Sequence, residues 1–349
     1  MVKKLLSLLL FIGSYAIFSQ QNYYNDVDLT KSGLALKDEL ATKIVNTHTR
    51  TLSYSQVWDA CKATDVNPDN SNEVLLIYGY SSTGTTARTR GINENGGSTG
   101  DWNREHTYPK SLGNPNLGTS GAGADAHHLR PSDVQHNGKR GSKKFASGSG
   151  NSGDSSGGWY PGDEWKGDVA RMMLYMYLRY GNQCLPKNVA IGTTNSVDSN
   201  MIDLLLQWNA DDPVSSIEDA RNTYHENTSN SAAQGNRNPF IDNPNLATQI
   251  WGGPVAENRW ATANINENSL LETKIFPNPS SIKKVFIKVN DNLKIQEVTL
   301  YSILGKTVYN VKNPISKNGL ISINNLTKGI YLLKIANRNS SMTKKIIIQ

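Results

Sequence analysis

The chain has 349 residues, a formal net charge of +6 and a mean hydropathy of −0.51. That length allows two domains. After residue 18 no apolar run is long enough to cross a bilayer, which takes about 20 residues. The positive charge is no argument for a polyanion partner: residues 271–349 carry 13 Lys+Arg against 3 Asp+Glu, so the remainder of the mature chain is acidic.

Residues 1–19 read as a signal peptide: Lys3 and Lys4, an apolar run over 5–18, then a small polar exit. Leu34, Leu36, Leu40 and Ile44 predict an early helix, and Val74 to Tyr78 a buried strand. Residues 81–101 and 147–158, rich in Gly, Ser and Thr, predict loops. A helix over 163–180 should present Val169, Met172, Met173 and Met176 on one face and stop at Gly181. Asp168 and Arg171 on it have the spacing of a helix-surface pair. A second helix is predicted over 201–208. A third starts after Pro213, where Ser215 and Glu218 have capping-box spacing. Trp159, Tyr160 and Trp165 suit packing better than base stacking. Cys61 and Cys184 could form a disulfide outside the cytoplasm, but nothing in their spacing requires one.

Composition changes across 261–272, which reads as a linker between a body at 20–260 and a tail at 273–349. In the tail, short β-type runs are separated by Gly305, Gly319 and Gly329, predicting a small all-β sandwich. The expected class is α+β: a helix-rich mixed body followed by this Ig-like sandwich.

The chemistry concentrates in Arg104-Glu105-His106, Asp125-Ala126-His127-His128-Leu129-Arg130 and Asn137-Gly138-Lys139-Arg140. Imidazole, titrating near neutrality, can take a proton from water. A carboxylate and an amide oxygen suit a hard divalent cation that steadies charge on phosphate oxygens. Arg130, Lys139, Arg140, Lys143 and Lys144 make the segment locally basic. Strand alternation raises a difficulty: Glu105 and His106 should point to opposite faces. His136 and His225 are expected at the surface. A zinc site built from His106, His127 and His128 is an alternative, although no zinc-type spacing occurs. A non-catalytic surface protein that binds extracellular DNA is another.

Arg104-Glu105-His106 with Pro109-Lys110, then Asp125, His127-His128, Pro131, Asn137 and Arg140, resembles the bacterial endonuclease I family. Lys166-Gly167-Asp168, Trp208-Asn209 and Gly235-Asn236-Arg237-Asn238-Pro239 extend the resemblance over residues 30–250. It implies a ββα-metal core and non-specific cleavage of DNA, and often RNA, to 5′-phosphates. It also implies a divalent cofactor, Mg²⁺ before Ca²⁺ or Mn²⁺; the chain itself is expected to be a monomer. Position by position it makes His106 the general base and Glu105 and Asn137 the metal ligands. Arg140 would contact phosphate or the leaving group. Arg104, Asp125, His127, His128, Arg130 and Arg171 are candidates for supporting or phosphate-binding roles. The tail, with Phe276-Pro277-Asn278-Pro279, Lys328-Gly329-Ile330-Tyr331 and Lys344-Lys345, resembles a type A sorting domain of the type IX secretion system. It implies a secreted protein that meets that machinery.

Overall fold

The computed structural model describes residues 22–260, 273–289, 295–316, 319–337 and 341–349. The expected signal peptide and the 261–272 linker lie outside the described residues. Two compact units divide the chain after Trp260.

The body is organised on the helix Lys166–Tyr180. Gly167 through Leu178 are all buried, so the helix is enclosed on every side rather than along one stripe. The cause is its neighbours: Gly33–Thr47, Asp203–Asp211 and Pro239–Asp242 all pack on it. Asp168 and Arg171 do approach to 3.7 Å, but in the interior, not on a helix surface. Gly181 ends the helix at φ 52°, a conformation glycine adopts without strain. Ser215 caps Ser216–Glu226 in a complete capping box with Glu218. The helices Gln56–Thr64, Val134–Arg140 and Asn245–Trp251 carry weaker sequence signals and were not foreseen individually.

The expected strand at 74–78 begins earlier, as Asn70–Leu75, and ends before Tyr78, which has φ 72°. A bulky residue in that region is costly and marks a tertiary constraint. The expected loops hold short elements as well. Thr89–Gly91 joins a three-stranded antiparallel sheet, and Gly153–Ser155 pairs with Gly158–Tyr160.

Trp102–His106 and Leu129–Asp133 form a separate antiparallel pair, with Glu105 opposite Arg130 and His106 opposite Leu129. The helix Val134–Arg140 follows at once. Asp133 caps it, accepting hydrogen bonds from the Gln135 and His136 backbone N–H groups at 2.9 and 3.0 Å. Such a cap contributes about 1 kcal/mol, and here it fixes the turn from strand into helix.

In the tail, two antiparallel sheets share one core. One has the order Thr307–Lys312, Glu297–Ser302, Gly329–Ala336, Ser341–Ile348; the other Leu320–Ile323, Val285–Lys288, Lys274–Phe276. Alternate residues such as Val285, Ile287, Val298, Leu300, Leu333 and Ile335 point inward, as strand periodicity requires.

Candidate active site

A cavity of about 370 Å³ opens where the Trp102–His106 strand meets the Val134–Arg140 helix. Its lining includes Tyr54, Arg104, Glu105, His106, Lys110, Asn137 and Arg140.

The alternation difficulty is resolved by position. Asn103 and Glu105 lie on the strand face toward the helix. The Asn137 amide nitrogen donates to Asn103 Oδ1 at 2.7 Å, and Arg140 Nη1 stands 3.1 Å from Glu105 Oε1. Arg104 and His106 lie on the other face, against Tyr54. The cavity sits at the end of the strand, where both faces open into it.

Glu105 is buried and accepts a hydrogen bond from the Tyr78 hydroxyl at 3.0 Å. Burial pushes its carboxyl up to about 7, and the opposing pull of Arg140 and Tyr78 does not overcome this. A further cation in the cavity would favour its ionised form. Asn137 turns its nitrogen to Asn103, which leaves its carbonyl oxygen as the atom able to meet a cation. His106 packs on Tyr54, ring centroids 5.5 Å apart, and its Nε2 lies 2.9 Å from the Gly123 carbonyl oxygen. A carbonyl only accepts, so Nε2 carries the proton and Nδ1 holds the free lone pair. Burial first, then His128, pushes the imidazole down to about 3, so the ring is neutral at pH 7 and a weaker base than free imidazole.

Gly123 is a glycine for a reason. A Cβ there would stand 2.2 Å from the Gly118 carbonyl oxygen, so the turn Gly121–Ala124 could not close as it does. The preceding carbonyl, of Ala122, binds His128 Nε2 at 2.8 Å. One short turn thus holds two imidazoles.

Several expectations change. Arg140 lines the cavity, but its guanidinium is spent on Glu105 and on the carbonyls of His106 and Thr107, at 3.2 and 2.9 Å. It braces the carboxylate and the strand end rather than facing a phosphate. Arg130 and Arg171 are almost fully buried and cannot reach a phosphate. Arg130 bridges Asp65 and Asp168, and Arg171 holds Glu218. With Lys143 also paired to Asp154, the basic segment is much less available than its sequence suggests. Asp125 accepts from Tyr175, Tyr180 and Gln234 deep in the core, a structural role. His127 Nε2 lies 3.2 Å from the Asn236 carbonyl oxygen. Among the described residues no three His, Cys, Asp or Glu side chains are grouped to hold an ion, so the zinc alternative has no site. His136 and His225 are buried, not exposed: His136 bonds Ser152, and His225 lies in the core beside His127. Cys61 and Cys184 are free and buried. Trp159, Tyr160 and Trp165 are buried in the core as packing residues.

Tyr54, Tyr78, Asn103 and Gly123 also build the site, and sequence reasoning missed them. Tyr54 and Tyr78 lie far from the histidine segment in sequence. Asn103 was the nearest to being legible, two residues before Glu105 on the same strand face.

The geometry can be set beside known proteins. The family model "Endonuclease I" matches residues 32–245, and "Secretion system C-terminal sorting domain" matches 274–349. The chain is 44% identical over 244 residues to an extracellular ribonuclease of Bacillus amyloliquefaciens, covering 66% of this chain and 78% of that protein. It is 42% identical over 258 residues to an extracellular ribonuclease of Bacillus subtilis (strain 168), covering 70% and 84%. Among the described residues, no helix is long and apolar enough to cross a membrane. The chain belongs to the endonuclease I family and is a secreted nuclease that hydrolyses phosphodiester bonds.

Proposed function

We propose that this enzyme cuts DNA and RNA with little sequence preference, leaving 5′-phosphates, and that it needs a divalent cation, Mg²⁺ before Ca²⁺ or Mn²⁺. The endonuclease I family generally works with a divalent metal. The pair Trp102–His106 and Leu129–Asp133 with the helix Val134–Arg140 would then be its ββα-metal core. The names of the two Bacillus relatives support RNA as one substrate.

The residues fit such an ion. Glu105 is a buried carboxylate with Arg140 on one oxygen, and Asn137, whose nitrogen is engaged by Asn103, lines the same cavity with its amide oxygen as the remaining donor. These two oxygen donors suit a hard cation that keeps most of its shell for water and phosphate. When bound, the ion would neutralise charge on the phosphate and on the departing 3′ oxygen.

The protein's own groups do the rest. His106 Nδ1 takes a proton from a water molecule, while the Gly123 carbonyl holds Nε2–H and keeps the ring in the right tautomer. The water oxygen bonds to phosphorus in line with the P–O3′ bond, which breaks. The 3′ oxygen leaves as a hydroxyl, protonated from solvent, and the phosphate stays on the 5′ side. Arg140 and Tyr78 keep Glu105 in place. No sequence-reading element is needed, because phosphate is common to every nucleotide.

The observation that carries this reading is the meeting of a tautomer-fixed imidazole with a carboxylate and an amide oxygen around one cavity. The test incubates the full-length protein with supercoiled plasmid and with RNA, in Mg²⁺, Ca²⁺, Mn²⁺ or EDTA. Cleavage of both that stops in EDTA is expected. His106→Ala should lose at least ~10²-fold in rate while keeping its fold. Full activity in chelator, or in that variant, would remove the metal or the base from the mechanism.

A further inference from the structure

Arginines with buried head groups in the body are matched to acids. Arg130 meets Asp65 and Asp168, Arg140 meets Glu105, Arg171 meets Glu218, Arg221 meets Asp65, and Arg237 meets Asp242. Arg104 is the exception at the cavity. It is half-buried, its guanidinium carbon over the rings of Tyr54 and Trp58, 3.6 and 4.1 Å from their centroids. It donates one hydrogen bond, to the Tyr54 carbonyl oxygen. Its Nε is buried without a partner, and among the described residues it forms no ion pair.

A cation that has lost part of its water and has no anion is costly unless something supplies one. A structural staple would not need a charge: a Met or Leu would cover both rings as well. The aromatic pair holds the guanidinium rigid at the cavity wall, on the strand face opposite Glu105. Planar guanidinium donors match phosphate oxygens. Resting on the nuclease reading, we infer that Arg104 is a second phosphate subsite, which seats the phosphate next to the one being cut. The substrate's own backbone is the missing counter-ion, and the enzyme grips two consecutive phosphates of one strand.

The test uses the full chain on a single-stranded oligonucleotide across a range of salt concentrations. Arg104→Met should raise KM about tenfold, the usual scale for losing a charged hydrogen bond. The loss should fall on KM rather than kcat. The slope of log(kcat/KM) against log salt should drop by about 0.7, the value of one phosphate contact on a single strand. Arg104→Lys should keep the slope, because it keeps the charge, and sit between the two in KM. An unchanged slope and KM with a reduced kcat would overturn the subsite and make Arg104 a prop for Tyr54 and His106. Should R104M fail to fold, R104K decides, and an unchanged KM there overturns the subsite too. Wild-type protein that cuts no oligonucleotide would instead sink the nuclease reading beneath it.

Discussion

Two parts of the body are rich in charge, and they treat it in opposite ways. In the interior, Asp65, Asp168 and Glu218 are interleaved with Arg130, Arg171 and Arg221, three carboxylates to three guanidiniums. Around the cavity stand Arg104, Lys110 and Arg140 against one carboxylate, Glu105. The first set is self-sufficient and ties the Leu129–Asp133 strand to the helices Lys166–Tyr180 and Ser216–Glu226. The second has an excess of positive charge open to solvent, and an anion completes it. A charged residue in a nuclease points to substrate only when its partner is missing.

The strongest way to break this contrast is to remove one interior partner. Arg130→Met would take one of two guanidiniums from each of two buried carboxylates, leaving Asp65 to Arg221 and Asp168 to Arg171, and should cost about 3–5 kcal/mol in unfolding free energy. A loss under about 1 kcal/mol in urea denaturation would mean that the interior chain is not self-sufficient in this sense.

Acid tests the same interior. His127 and His128 are fully buried, and burial, the largest cause, pushes both down to about 4. A histidine whose folded pKa is depressed stabilises fully above its unfolded value near 6.5 and loses that contribution as pH falls toward 4. Each is worth at most about 3 kcal/mol. Glu105, raised to about 7, acts the other way: its contribution is present below its ordinary value and lost as pH rises to 7. His106, His225, His136 and His48 are lowered in the same sense and Asp168 is raised like Glu105, so the histidines predominate and the urea midpoint should fall between pH 7 and pH 4.5. A flat or rising midpoint would show that these rings are not held neutral.

The cavity should respond in activity rather than stability. Glu105→Gln is expected to lose at least ~10²-fold in cleavage, from the several kcal/mol a metal site supplies, and to melt no lower than wild type at pH 8. A lower melting temperature would place Glu105 among the structural acids. Gly123→Ala should cut kcat about tenfold, since small misplacements of catalytic groups are costly. NMR of the His106 ring nitrogens would reveal a weakened hold on the Nε2–H tautomer. Intact kcat would free the carbonyl from that role. The smallest expected effect is that of a reducing agent. Both cysteines are free, so the melting temperature should not move, whereas a drop would reveal a bridge.

Legibility followed the same division. That His106, Glu105 and Asn137 meet in one cavity was legible from the chemistry of their own functional groups. Ser215 and Glu218 were readable as a cap because the interaction spans three residues. Arg130 and Arg171 were not, because a sequence displays a charge but not what neutralises it; their acids lie 65 and 47 positions away. His136 and His225 were misplaced because imidazole is equally suited to surface and core. The Lys166–Tyr180 helix looked one-sided because its polar members, Asp168 and Arg171, are consumed by interior partners.

One feature of the Trp102–His106 strand has consequences for engineering and for descent. Glu105 and His106 are consecutive in sequence yet project to opposite sides of a single backbone, so one peptide unit is the spacer between them. That distance is set by covalent geometry and cannot drift. An inserted or deleted residue ahead of Glu105 would rotate the ladder by one step and turn both side chains to the opposite faces. Neighbouring loops are free to lengthen or diverge, but this segment can change only by substitution, never by length.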